Sequence, residues 1–203
     1  MADEGRASTR NVQVSFDDEP LILVDAENHV LGHESKVACH EGEGILHRAF
    51  SVFLFDGEGR VLLQQRAAGK PLWPLHWSNS VCSHPRRGET EEVATARRVR
   101  EELGVEADLE YLFRFRYHAR YGDRGSEREL CSVYLGRPRG EVKPNETEIA
   151  DWKWIDVDEL TRALEEDPDA YTPWFKMEWA RIRTEFEERL RAHAGGGAGP
   201  DGS

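Results

Sequence analysis

At 203 residues, with 38% hydrophobic and 33% charged residues, the chain has the composition of one globular domain with a real core and a heavily solvated surface. A formal charge of −12 excludes a general polyanion-binding surface, and no basic stripe interleaved with aromatics offers a local nucleic-acid site. Cys39, Cys82 and Cys131 have scattered spacings and no CxxC pair, which argues against a disulfide scaffold; with neither an apolar leader nor a membrane-length apolar run, the chain reads as a soluble cytoplasmic protein without membrane partners.

In chain order, residues 1–18 are polar and read as a flexible N-terminal tail, 19–193 as a single domain, and the glycine-rich "AGGGAGPDGS" (194–203) as a disordered C-terminal tail. "LILVD" (21–25) predicts a buried strand with "NHVLG" (28–32) as its hairpin partner. "HRAFSVFLFD" (47–56), "GEG" and "RVLLQQR" (60–66) predict a second β-hairpin. The period then changes. Val93, Ala96, Val99 and Leu103 recur at helical spacing, with Thr90 placed as N-cap, Glu91 and Glu92 in the first turn, and Gly104 at the stop. Strands are expected at 111–121, 128–136 and 151–156, then a helix in "DELTRALEED" and one long amphipathic helix over 173–194. The fold class is a mixed α/β (α+β) layered domain.

Three histidines stand beside apolar strands: His40, His47 and His84. Glu127 and Glu129 alternate onto one face of a strand, where two carboxylates repel unless a cation or a proton lies between them. Three imidazoles and two carboxylates suit a divalent ion such as Mn²⁺, Mg²⁺ or Zn²⁺. Taken singly, each also has an ordinary reading: a strand-end histidine at the surface or in the core, or a solvated E-x-E face balanced by Arg124 and Arg128. Arg98 and Glu102 likewise read either as a surface i,i+4 pair or as a phosphate partner and a Mg²⁺ ligand. Cys82 stands two residues before His84, open to reading as part of a metal site, a nucleophile with its base, or a buried thiol beside a structural imidazole.

Residues 83–105 resemble the Nudix box, with Glu89, Arg97, Val99, Glu101, Glu102, Gly104 and Val105 matching; Ser83 replaces the first glycine and Arg98 a metal-binding glutamate. "KVACH" followed by His47, "RAAGKPLWP", "WSNSVCSHP", "RRVREELGV", "FRYHA" and "ERELC" occur in that order. Together, over roughly residues 20–180, they resemble the type 1 isopentenyl-diphosphate isomerases, a non-hydrolysing branch of the Nudix fold. The resemblance implies a Nudix-like layered fold with a mixed β-sheet between helices, and conversion of isopentenyl to dimethylallyl diphosphate. It implies His40, His47, His84, Glu127 and Glu129 as ligands of one divalent metal (Mn, Mg or Zn), and Glu102 with the Cys82 carbonyl around a Mg²⁺ bound with the diphosphate.

By the same resemblance Cys82, Glu129 and Tyr117 are catalytic, with Glu129, through Tyr117, favoured as proton donor and Cys82 as acceptor. Lys36, Arg66, Lys70, Arg98 and Ser83 would contact the substrate diphosphate, and Trp174 would line the hydrocarbon pocket. The expected partner is a small isoprenoid diphosphate, and the expected state is a monomer. A Nudix-type diphosphate hydrolase is the rival enzyme, and a non-catalytic metal- or ligand-binding module on the same scaffold is the rival of another class. Cys39 and Cys131 read as structural thiols, and His29, His33, His76, His118 and His193 receive no metal role.

Overall fold

A computed structural model describes residues 11–195. Its strands and helices are β1 (Pro20–Val24), β2 (Val30–Ser35), α1 (Lys36–His40), β3 (His47–Leu54), β4 (Arg60–Arg66), β5 (Trp77–Ser78), β6 (Val81–Ser83), α2 (Glu91–Leu103), β7 (Glu106–Arg120), β8 (Ser126–Arg139), β9 (Ile149–Asp156), α3 (Val157–Glu166), α4 (Pro173–Glu185) and α5 (Glu187–Ala194). They form the expected mixed α+β layered domain.

One sheet runs β2-β1-β3-β8-β7, with β6 also paired to β3; a second runs β5-β4-β9. The central strand β3 is buried at every residue except Arg48. Its alternation serves two cores rather than one. Ala49, Phe53 and Phe55 pack with Phe175, Trp179 and Ile182 of α4, while Phe50, Val52 and Leu54 pack with Ala94, Val99 and Leu103 of α2. Burying an apolar side chain on the scale of these residues stabilises the fold by about 1.5–3 kcal/mol, so a strand between two layers anchors both.

That double burial corrects the expected β3–β4 hairpin. The turn exists, with Asp56 N–H donating to Arg60 O at 3.1 Å and a single bridge from Phe55 to Val61. Beyond it the strands part: β3 pairs with β8 in parallel and with β1 and β6 antiparallel, and β4 pairs with β5 and β9. Both flanks of β3 are already taken, so β4 crosses into the second sheet.

Helix α2 has the expected ends: Thr90 Oγ accepts from Val93 N–H at 3.3 Å, and Gly104 closes the helix at φ 67°, a left-handed conformation that glycine adopts without strain. Its buried face differs from the apolar reading. Val93 is 56% exposed, whereas Thr95, Arg98 and Glu102 are buried beside Ala94, Val99 and Leu103. A buried ion pair carries the inward phase that apolar periodicity assigned elsewhere. The expected single helix over 173–194 is two, α4 and α5, parted at Phe186 (φ −131°), whose ring stacks on Phe113 at 5.0 Å.

Residues 1–10 and 196–203, which hold most of both expected tails, lie outside the described residues. Residues 12–17 are tied to the domain: Val12 O accepts from Asn145 Nδ2 at 2.8 Å, Val14 O from Arg98 Nη1 at 2.8 Å, and Asp17 O from Val37 N–H at 3.2 Å. Among the described residues no helix is long and apolar enough to cross a membrane.

Candidate active site

Strand register builds the histidine–glutamate cluster. Parallel pairing sets His47, the first residue of β3, beside Glu129 of β8, and Glu127 shares that face two residues earlier. His40 ends α1, one turn after Lys36. The β7–β8 turn passes α1 so closely that a Cβ on Gly125 (φ +143°) would lie 2.3 Å from His40 O, so only glycine fits. His84 follows β6, which is registered on β3 by Phe50 against Ser83.

One ligand atom from each of these five residues lies within 4.8 Å of all the others. His40 Nε2 is 2.8 Å from Glu127 Oε2, and His84 Nε2 and His47 Nε2 are 2.9 and 3.6 Å from Glu129 Oε1. His40 Nδ1 donates to Lys36 O at 2.6 Å and His47 Nδ1 to Ile45 O at 2.7 Å, which turns both Nε2 atoms inward. His47 Nε2 and Glu127 Oε2 are buried and make no well-formed hydrogen bond. Buried polar atoms left so are rare unless an ion or water completes them, and the donor set suits a divalent cation. The solvated-face reading of Glu127 and Glu129 fails, since they are only 7% and 6% exposed.

The charges in the cluster oppose one another. Burial alone would lower His40, but Glu127 beside it raises it to about 9. His84 is pushed well down by burial and by the neighbouring His47 and His40. Glu129 would be raised by burial, yet His47, 3.6 Å away, and the hydrogen bond from Tyr117 bring it below the usual carboxylate range.

Beside the cluster, Tyr117 Oη donates to Glu129 Oε2 at 2.6 Å. Arg66 Nη1 donates to Cys82 Sγ at 3.5 Å, while its other nitrogens are fixed on Trp73 O (3.1 Å) and Leu72 O (3.0 Å). The guanidinium also lies 5.1 Å over the Trp174 ring, which meets Trp73 edge-on at 5.3 Å. Burial holds the Cys82 thiol up at about 11 despite Arg66, and lifts Tyr117 well above the ordinary phenol value.

The third part of the site is cationic. Arg98 is 3% exposed and reaches Glu102 Oε1 at 2.7 Å and Glu148 Oε2 at 3.1 Å. Lys70 bonds the same Glu148 oxygen, and Lys36 bonds Ser15 Oγ. The surface-pair reading of Arg98 and Glu102 therefore fails. Glu102 is raised by burial, Lys36 is lowered by burial and by Lys70, and Glu148, despite burial, is held below its usual value by Lys70 and Arg98.

Every residue proposed from sequence lines one cavity of about 300 Å³, apart from His47 and Glu102, which are buried in the contacts just described. Arg124, Leu72 and Asp17 add to the lining. Glu148 escaped the sequence reading, because "NETEIADW" looks like any acidic loop ahead of a strand; its one signal is its place just before an apolar Trp-x-Trp strand. Cys39 and Cys131 are buried, and His118 is exposed, 3.9 Å from Glu43, as expected of residues outside the site.

The fold and cluster define a NUDIX-class protein: the NUDIX domain family matches residues 45–175. A solved Deinococcus radiodurans structure superposes at TM-score 0.63 with 23% identity, covering 85% of this chain and 99% of that one; a MutT NUDIX hydrolase from Burkholderia pseudomallei does so at 0.54 with 19% identity, covering 68% and 98%. At those identities they speak for the fold alone. Proteins named isopentenyl-diphosphate Delta-isomerase are nearer in sequence. One from Serratia proteamaculans is 42% identical over 81% of this chain and 98% of its own length, and one from Klebsiella pneumoniae is 41% identical over 85% and 98%. Another from Aromatoleum aromaticum is 41% identical over 77% of this chain and 82% of its own. The chain belongs to the isopentenyl-diphosphate Delta-isomerase family within the NUDIX superfamily.

Proposed function

We propose that this family member converts isopentenyl diphosphate to dimethylallyl diphosphate by adding a proton at the terminal alkene carbon and removing one from C2. One observation carries the reading: Cys82 and the Tyr117–Glu129 pair line a single cavity beside Trp174. An unactivated alkene needs one group to give a proton and another to take one, on two faces of a flat fragment. Cys82 on β6 would serve one face and Glu129 of β8, with the Tyr117 hydroxyl of β7, the other. Since the shift is reversible, each would give the proton in one direction and take it in the other. Positive charge developing on the alkene would lie against the Trp174 ring, whose face stabilises a cation without attacking it. Leu72 and Trp174 would keep water from quenching it.

His40, His47, His84, Glu127 and Glu129 would hold one divalent metal, Mn, Mg or Zn, and Glu102 with the Cys82 carbonyl would hold a Mg²⁺ that arrives with the diphosphate. When bound, these cations supply fixed positive charge, orienting Glu129 at one end and neutralising phosphate oxygens at the other. Lys36, Arg66, Lys70, Arg98 and Ser83 would anchor the diphosphate, so that binding energy from the unreactive end positions the alkene. The working form is read as a cytoplasmic monomer acting on a small molecule, with no nucleic-acid or membrane partner.

The hydrolase reading has the rest of the box behind it, Glu89, Arg97, Glu101 and Glu102. Against it, Arg98 stands where the hydrolase box has a metal-binding glutamate. Incubation with isopentenyl diphosphate in deuterated buffer separates the two. Deuterium in the methyl group of the product is expected; phosphate release without isomer would overturn the isomerase reading.

A further inference from the structure

Glu148 is 4% exposed, and one of its oxygens, Oε2, bonds both Lys70 and Arg98. The loop carrying it is stitched in place: Ala67 N–H donates to Glu148 O at 2.9 Å, and Asn145 N–H to Glu102 O at 2.8 Å. The backbone that carries this carboxylate is therefore fixed beside the cations. Arg98 also bonds Glu102, so two buried carboxylates face the cations Lys36, Arg66, Lys70 and Arg98. Glu101, 3.3 Å from Arg98, is itself shared with Arg97 at 3.0 Å. Glu102 and Glu148 each offset one formal positive charge of the cradle.

A free diphosphate monoester carries about three negative charges near neutrality, and its complex with Mg²⁺ carries two fewer. Coulombic repulsion scales with ligand charge, so a fixed anion at Glu148 penalises the free form more than the complex. Resting on the reading of this cradle as the diphosphate subsite, we propose that Glu148 is a specificity-determining residue that shifts the cradle's preference away from the free diphosphate and toward the Mg²⁺ complex. Without it, Lys70 and Arg98 would hold a metal-free diphosphate almost as well. With it, the free form is held less tightly relative to the complex.

The test is calorimetric titration of the full chain, loaded with its resident metal, using inorganic pyrophosphate with and without added Mg²⁺. Wild-type affinity is expected to rise about tenfold or more when Mg²⁺ is added. Glu148→Gln is expected to bind pyrophosphate without Mg²⁺ about fivefold more tightly, shrinking the Mg²⁺ factor to match. Glu148→Asp, which keeps the charge, should keep the factor. Lys70→Gln removes a cation but leaves Glu148, so its factor should grow, a second handle if Glu148→Gln does not fold. An unchanged factor in Glu148→Gln, or one that fails to grow in Lys70→Gln, overturns the selectivity role and leaves the isomerase reading standing. A wild-type chain that binds no pyrophosphate even with Mg²⁺ overturns the diphosphate subsite itself.

Discussion

Tyr117 and Glu129 face each other across the antiparallel β7–β8 ladder, with the phenolic hydrogen donated to the carboxylate at 2.6 Å. Register alone creates the pair, and it joins a metal-type cluster to the cavity where the alkene would lie. Tyr117→Phe keeps the ring and its stacking on Phe115, 5.5 Å away, and removes only the hydroxyl. Turnover should fall about 10²-fold with KM changed little, in steady-state kinetics on isopentenyl diphosphate. A variant with full kcat would leave the hydroxyl a purely structural donor.

Cys82 lines the cavity and is not among the five cluster residues. Cys82→Ala should therefore lose about 10³-fold or more in turnover while binding metal as the wild type does. Metal analysis of the purified variant, run beside the isomerisation assay, separates the two roles. Retained turnover would remove the thiol from the mechanism.

The close pass of Gly125 against His40 O makes a sharp structural prediction. Gly125→Ala adds a Cβ where only 2.3 Å is free, at a positive φ, so α1 must move or the turn must strain. A loss of about 2–3 kcal/mol is expected in urea unfolding, with weaker metal retention because His40 moves with α1. Unchanged metal affinity together with unchanged stability would show that the turn gives way freely.

Metal removal should reach beyond activity. The cluster ties together α1, β3, β8 and the end of β6, so a bound ion stabilises the native fold by mass action, by about 2.7 kcal/mol at a hundredfold excess over Kd. Chelation should lower Tm, and readdition of Mn²⁺ or Zn²⁺ should restore it in a concentration-dependent way. A Tm indifferent to chelator and metal would argue against binding at this cluster.

Glu178 of α4 is wholly buried beside Cys131 and Ser51, and burial pushes its carboxyl up to about 8. Between an unfolded value near 4.5 and about 8, the native chain keeps a proton that the unfolded chain releases. Stability is therefore fullest below that window and falls by about 1.4 kcal/mol per pH unit as pH rises through it, levelling off above. Glu178→Gln should remove this slope, so its advantage over wild type in thermal melts should grow from pH 5 to pH 8. Parallel melting curves across that range would count against a buried neutral acid.

Much of the site was legible because its chemistry sits in short, ordered motifs. "KVACH", "VCSHP" and "ERELC" each deliver ligands that the structure brings within 4.8 Å. The α2 caps were legible for a local reason, since Thr90 and Gly104 act on the backbone beside them. The β3–β4 pairing was not, because a continuous apolar run says that both faces are buried and not which strands flank it. Phe186, where α4 ends, stacks on Phe113, a residue far away in the chain.

By itself the sequence determined the type of the longer elements, the motif order and the set of groups able to hold a cation and move a proton, because propensity, capping and residue chemistry act locally; the short α1, β5 and β6 were not foreseen. Only the tertiary structure decided that Arg98 and Glu102 are a buried pair and not a surface one, that Glu148 takes both Lys70 and Arg98, and that Glu129 meets His47 and Tyr117 together. Those depend on strand register, on the crossing of β4 into a second sheet and on burial. Each couples residues tens of positions apart, through contacts that local sequence does not encode.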